Sequence, residues 1–107
     1  MVYDGEITFQ HDDMPNPIRA ASISEGKIDF SFHYRANILN YHVALAESPG
    51  DPSLFRGRWL TGTPPDQGAC WCLLARKKTG GVELIGHWTE GDEDYSWKAQ
   101  LVPKKAK

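Results

Sequence analysis

The feature that most restricts the fold of this chain is alternation. Apolar side chains recur every second residue, and a helical period of 3.6 is nearly absent. The clearest case is a pair of segments. Ile28, Phe30, Phe32 and Tyr34 hold one phase, and Leu39, Tyr41, Val43 and Leu45 hold the opposite one. The phase flips across Arg35-Ala36-Asn37-Ile38, as a tight hairpin requires. Folding there sets Tyr34 opposite Leu39, Phe32 opposite Tyr41 and Phe30 opposite Val43. A helix over Ala36 to Glu47 competes, but Tyr, Val, Asn and His are poor helix formers.

The rest of the chain reads the same way. Tyr3, Ile7 and Phe9 alternate with Asp4, Glu6 and Thr8 to make a first strand. His11 to Pro17 reads as loop by its turn residues, and Ile18 to Ser24 as a weak second strand. Glu47 to Ser53 is a loop with Pro49-Gly50 at its centre. Strands follow at Leu54–Thr61, Ala69–Lys77, Val82–Glu90 and Tyr95–Val102. They are joined through Gly62–Gly68, Lys78–Gly81 and Gly91–Asp94, and the tail 103–107 is expected to fray. Eight short strands with short connections predict a meander, and eight is about the number that closes into a barrel without exposed edges. The expected fold is therefore all-β: one domain spanning 1–107, an eight-stranded antiparallel up-and-down β-barrel. An open or sandwiched pair of sheets is the alternative.

Composition removes several classes. A chain of 107 residues holds one domain, and twelve aromatics are too many for a disordered one. No apolar run approaches the roughly 20 residues of a membrane-spanning helix. A net charge of −2 offers no basic face to a nucleic-acid backbone. The amino terminus lacks the basic start and apolar stretch of a secretory signal. Cys70 and Cys72 would lie side by side on a strand, a poor disulfide geometry, and Cys-x-Cys alone is a thin metal signal. Both read as reduced thiols, which places the chain in the cytoplasm. No cofactor and no metal ligand set is expected.

Two segments repeat at a spacing of 29 residues: Gly57-Arg58-Trp59 and Gly86-His87-Trp88, each followed by a strand with a further Trp, Trp71 or Trp97. Glycine inside a strand marks a close approach of other groups to the backbone. Folding at Lys78–Gly81 sets Trp71 opposite Gly86, and folding at Gly91–Asp94 sets Trp97 opposite the same glycine. Carried through every strand, the phase puts all twelve aromatics on one face, the expected barrel interior. The other face then carries Asp29, Ser31, His33, Asn40 and His42, but also Leu60, Cys70, Cys72, Leu74, Ile85 and Val102. So apolar an outer face over strands 5–8 predicts a homodimer or larger assembly through it.

Leu54 to Val102 resembles the later strands of the avidin/streptavidin-type proteins among the calycin-like barrels. The resemblance is carried by Gly57-Arg58-Trp59, by Gly86-His87-Trp88, and by Trp97-Lys98-Ala99-Gln100-Leu101-Val102, which is similar to the end of that family's last strand. It implies an up-and-down eight-stranded barrel, often oligomeric, with a ligand at one open end. In that family the last strand's Trp, matched by Trp97, reaches the ligand across a subunit boundary. The polar residues that grip biotin's ureido group there have no counterparts here, so the implication stops at the fold.

The expected function is a small non-enzymatic barrel that binds an apolar or aromatic small molecule. Trp59, Trp71, Trp88 and Trp97 are the candidate walls, and Tyr34 and Tyr41 the polar-tipped contacts. The alternative is a filled core whose outer face serves protein association. A third reading is a metal-assisted enzyme using His33 and His42, diagonal neighbours on one hairpin face with Asp29 nearby. The acidic loops His11-Asp12-Asp13 and Asp92-Glu93-Asp94 have no calcium-loop spacing.

Overall fold

The structure is a computed structural model that describes residues 2–10, 12–34, 39–62 and 66–104. Eight strands follow in chain order: β1 Val2–Phe9, β2 Asp12–Ser24, β3 Lys27–Tyr34, β4 Leu39–Ser48, β5 Asp51–Thr61, β6 Asp66–Arg76, β7 Val82–Glu90 and β8 Glu93–Pro103. Each pairs antiparallel with its neighbours, and β1 pairs β8, so the sheet closes on itself as the alternation predicts. Closure leaves no unpaired edge. Among the described residues no helix is long and apolar enough to cross a membrane, which says nothing of a barrel.

The β3–β4 register is the one expected: Tyr34 faces Leu39, Phe32 faces Tyr41 and Phe30 faces Val43. The connecting residues 35–38, the tip of the Gly62–Gly68 loop (63–65) and the tail end 105–107 lie outside the described residues. Several loops shrink to turns. Ser48 pairs with Asp51 across Pro49-Gly50, with Gly50 at φ 82°, so the long loop expected at Glu47–Ser53 is a two-residue hairpin. Glu90 pairs with Glu93 across Gly91-Asp92 in the same way. Pro103 belongs to β8, and the Lys104 amide donates to the Val2 carbonyl at 2.9 Å, so the strand outlasts the expected fraying point.

The largest correction to the loop reading is β2. The segment His11–Pro17 was expected as loop, yet from Asp12 it pairs with β1: Phe9 with Asp12, Ile7 with Asn16 and Glu6 with Pro17. It does so with register shifts on both neighbours and with Ala20 at φ 57°, an irregular strand in which prolines are tolerated because the ladder is already broken. Asn16 is fully buried there, and its side-chain amide donates to the Ile7 carbonyl at 3.2 Å.

β6 corrects the phase. The β6–β7 connection is the three-residue loop Lys78-Thr79-Gly80, with Gly80 at φ 92° and the Lys77 amide donating to the Gly81 carbonyl at 2.8 Å. Trp71 therefore pairs with His87, and Cys72 takes the place opposite Gly86. One residue of slip turns every side chain of a strand over. Cys70, Cys72 and Leu74, expected outside, face the core, while Trp71 and Leu73 face outward. Only Trp71 departs from the face shared by the other aromatics. Gly86 does lie opposite Trp97, as expected.

Space explains the choice. β6 runs between β5 and β7, whose Trp59 and Trp88 both point inward and stack on each other at 5.1 Å and 12°. The strand between them can offer only small inward groups, and it does: Gly68 pairs with Trp59, and Cys70 pairs with Trp88. A Cβ on Gly68 would sit 2.5 Å from the Trp59 indole nitrogen.

Candidate functional site

The barrel is filled through its middle and recessed at both ends: one recess is bordered by Ile23, Glu47, Phe55, Leu74 and Arg76, and the other is an aromatic hollow. Ile7, Ile18, Ile28, Val43, Leu84 and Leu101 are essentially inaccessible, and so are the indoles of Trp59, Trp88 and Trp97. The hollow lies where β1, β3 and β7 end and β4 and β8 begin. There Phe9, Phe32, Tyr34, Tyr41, Trp88, Glu90 and Tyr95 line a cavity of about 190 Å³.

The walls are built ring on ring. Phe32 stacks on Tyr41 at 5.4 Å and 8°, and Tyr41 meets Trp88 at 5.6 Å and 62°. Phe9 stands edge-on to Trp88 at 5.4 Å and 88° and to Tyr34 at 5.4 Å and 63°. Tilted and offset contacts of this kind add to area burial and fix ring positions. Every buried indole N–H has an acceptor. Trp59 donates to the Thr89 carbonyl at 2.8 Å, Trp97 to the His87 carbonyl at 3.0 Å, and Trp88 to a Glu90 carboxylate oxygen at 3.2 Å. Glu90 is thereby held at the cavity wall. The Tyr95 hydroxyl donates to Glu93, and that bond, ahead of the neighbouring negative charges, pushes the phenol up to about 12.

Of the six residues expected to form the site, Tyr34, Tyr41 and Trp88 line the cavity. Trp59 lies one layer deeper, against Tyr41 and Trp88. Trp97 is deeper still, beside Phe30 in its own barrel. Trp71 is not a wall: it is outside, 39% exposed, and stacks on the His87 imidazole at 5.0 Å. Phe9, Phe32, Glu90 and Tyr95 complete the lining. The three rings were on the predicted inner face. Glu90 had a signal too, since it follows Trp88 by two residues and so shares its face.

The histidine hairpin faces outward, as expected. The His42 Nε2 sits 3.1 Å from an Asp29 carboxylate oxygen, its Nδ1 is 2.8 Å from the Ser31 hydroxyl, and His33 Nδ1 is 3.0 Å from the Asn40 side-chain oxygen. A hydroxyl, an imidazole and a carboxylate thus stand in line. They lie on an exposed sheet face where water screens the pair, with the imidazole and carboxylate side chains 45% and 53% accessible. Among the described residues no group of three His, Cys, Asp or Glu could hold a metal ion.

Cys70 and Cys72 are free and buried. Burial pushes both thiols up, Cys72 to about 12 and Cys70 further, because the thiolate has no water around it. In the unfolded chain a thiol ionises near pH 9, so between there and pH 12 the unfolded state binds fewer protons than the folded one. Stability is then full below pH 9 and falls as pH rises, by up to about 1.4 kcal/mol per pH unit per thiol. Denaturant unfolding at pH 8, 9.5 and 10.5 checks this: Cys72→Ala is expected to flatten the decline, and an unchanged slope would count against thiol burial. Comparison with protein-family models, with curated proteins and with solved structures finds no match to this chain.

Proposed function

We propose that this chain is a non-enzymatic binding barrel that takes a small apolar or aromatic molecule at its open end. What supports the reading is one observation: at this end of the barrel the described walls of a cavity of about 190 Å³ are six aromatic rings, Tyr34, Tyr41 and Trp88 among them, and the Glu90 side chain. An apolar cavity of about 150 Å³ is known to bind benzene, so a ligand of that size or slightly larger fits, below the roughly 300–1,000 Å³ of drug-sized sites. The avidin-like resemblance agrees with an open-ended barrel and adds no ligand identity. Cytoplasmic placement is part of the proposal, supported by the two free thiols.

Titration of intrinsic Trp fluorescence against a panel of small metabolites, biotin among them, tests it. A ligand over Trp88 is expected to give a saturable quench or shift that Trp88→Phe largely removes. A flat response across the panel would sink the reading.

A second reading has its own observation. Leu73 and Ile85, each 47% exposed, are direct cross-strand neighbours beside Trp71 on the outer face. A closed barrel has no edge to add strands to, so we propose that a second copy of the chain covers this face, giving a homodimer or larger assembly through strands β5–β8. Solution mass at rising concentration checks it. The wild type is expected to exceed the monomer mass, and Trp71→Arg to return it; a strict monomer at high concentration refutes the assembly.

A further inference from the structure

We propose that the molecule taken at the open end is an organic ammonium ion, its charge set between the Trp88 and Tyr41 rings and the Glu90 carboxylate. This rests on the open-end binding reading above and narrows it to one chemical class.

Ring geometry comes first. Phe9 and Trp88 meet at 88°, and Tyr34 and Tyr41 at 82°, so the rings form the walls of a box and not one continuous stack. A ring face carries the negative side of the aromatic quadrupole, and such boxes hold alkylammonium groups. Charge comes second. Among the described residues of the lining, Glu90 carries the one formal charge. The Trp88 indole N–H holds that carboxylate at the wall. In the adjoining hairpin Glu93 accepts from the Tyr95 hydroxyl beside the cavity, while Asp94 turns outward to His87. The Tyr95 phenol feels this field, since Glu93 and Glu90 both favour its neutral form.

Size and compensation decide between ligand classes. A neutral aromatic would fit about 190 Å³ but would cover the Glu90 carboxylate without a counter-charge, which costs free energy. An anion would meet the same carboxylate and the ring faces with repulsion. An alkylammonium group of the trimethylammonium kind fills the volume and neutralises the carboxylate at once.

Wild-type protein is titrated by calorimetry with choline, tetramethylammonium, the uncharged choline isostere 3,3-dimethyl-1-butanol, and indole. Choline is expected to bind at least tenfold more tightly than its isostere, and Glu90→Gln, which keeps the Trp88 acceptor, to shrink that ratio about tenfold. If the isostere or indole binds as well as choline, the ammonium assignment is overturned and open-end binding stands. If none of the four binds saturably at millimolar concentration, both fall. Should Glu90→Gln fail to fold, the wild-type ratio of choline to isostere decides alone.

Discussion

Gly86→Ala is expected to destabilise the barrel by about 3 kcal/mol or more, a large share of the 5–15 kcal/mol that holds a domain of this size. The reason is backbone against backbone. A Cβ on Gly86 would sit 1.9 Å from the Trp71 carbonyl oxygen, so no side-chain rotation can relieve it. Gly57 stands in the same relation to the Ala44 carbonyl, also at 1.9 Å, and Gly57→Ala should behave alike. Both glycines let a strand bend sharply where the sheet curls into a barrel, and each is followed two residues later by an inward indole. Gly5 repeats the device on β1, 1.9 Å from the Gln100 carbonyl, with Ile7 in the place of the indole. Denaturant midpoints measure the effect. A loss below about 1 kcal/mol at Gly86 would mean the strands do not approach this closely.

Trp59→Ala is expected to cost about 3–5 kcal/mol, and Trp71→Ala less than about 1 kcal/mol. Trp59 is fully buried, stacks on Trp88, and donates across Gly68 to the Thr89 carbonyl. Truncation leaves a cavity and an unpaired carbonyl together. Trp71 lies on the outer surface against His87. The pair of measurements therefore tests the phase of β6 directly: equal losses, or a larger one at Trp71, would place that indole inside and contradict the three-residue loop at Lys78-Thr79-Gly80.

Much of the candidate site is legible in the sequence. Tyr34 and Tyr41 come from the hairpin whose phase flip sets its register, and Trp59 and Trp88 from a repeat whose 29-residue spacing brings two indoles into one stack. The interior end of that stack is core and the outer end is cavity wall, a distinction no alternation pattern contains. It depends on how far each strand runs before its turn, and on which inner positions face others of like size.

By itself the sequence determined the strand count, the meander order, the inner face of six strands and the aromatic character of the interior. All of these follow from alternation and turn chemistry, which act over a few residues. Tertiary structure decided the rest. It recruited Asp12–Pro17 as strand because β1 would otherwise lack a partner there, overriding local turn preference. It turned β6 over because one residue of loop length moves every side chain to the other face, which sets the small Gly68 beside Trp59 and the small Cys70 beside Trp88. It placed an aromatic hollow at one end of the barrel and brought the Glu90 carboxylate to the Trp88 indole there. Volume is shared among all eight strands, so no single segment of sequence could specify where it runs out.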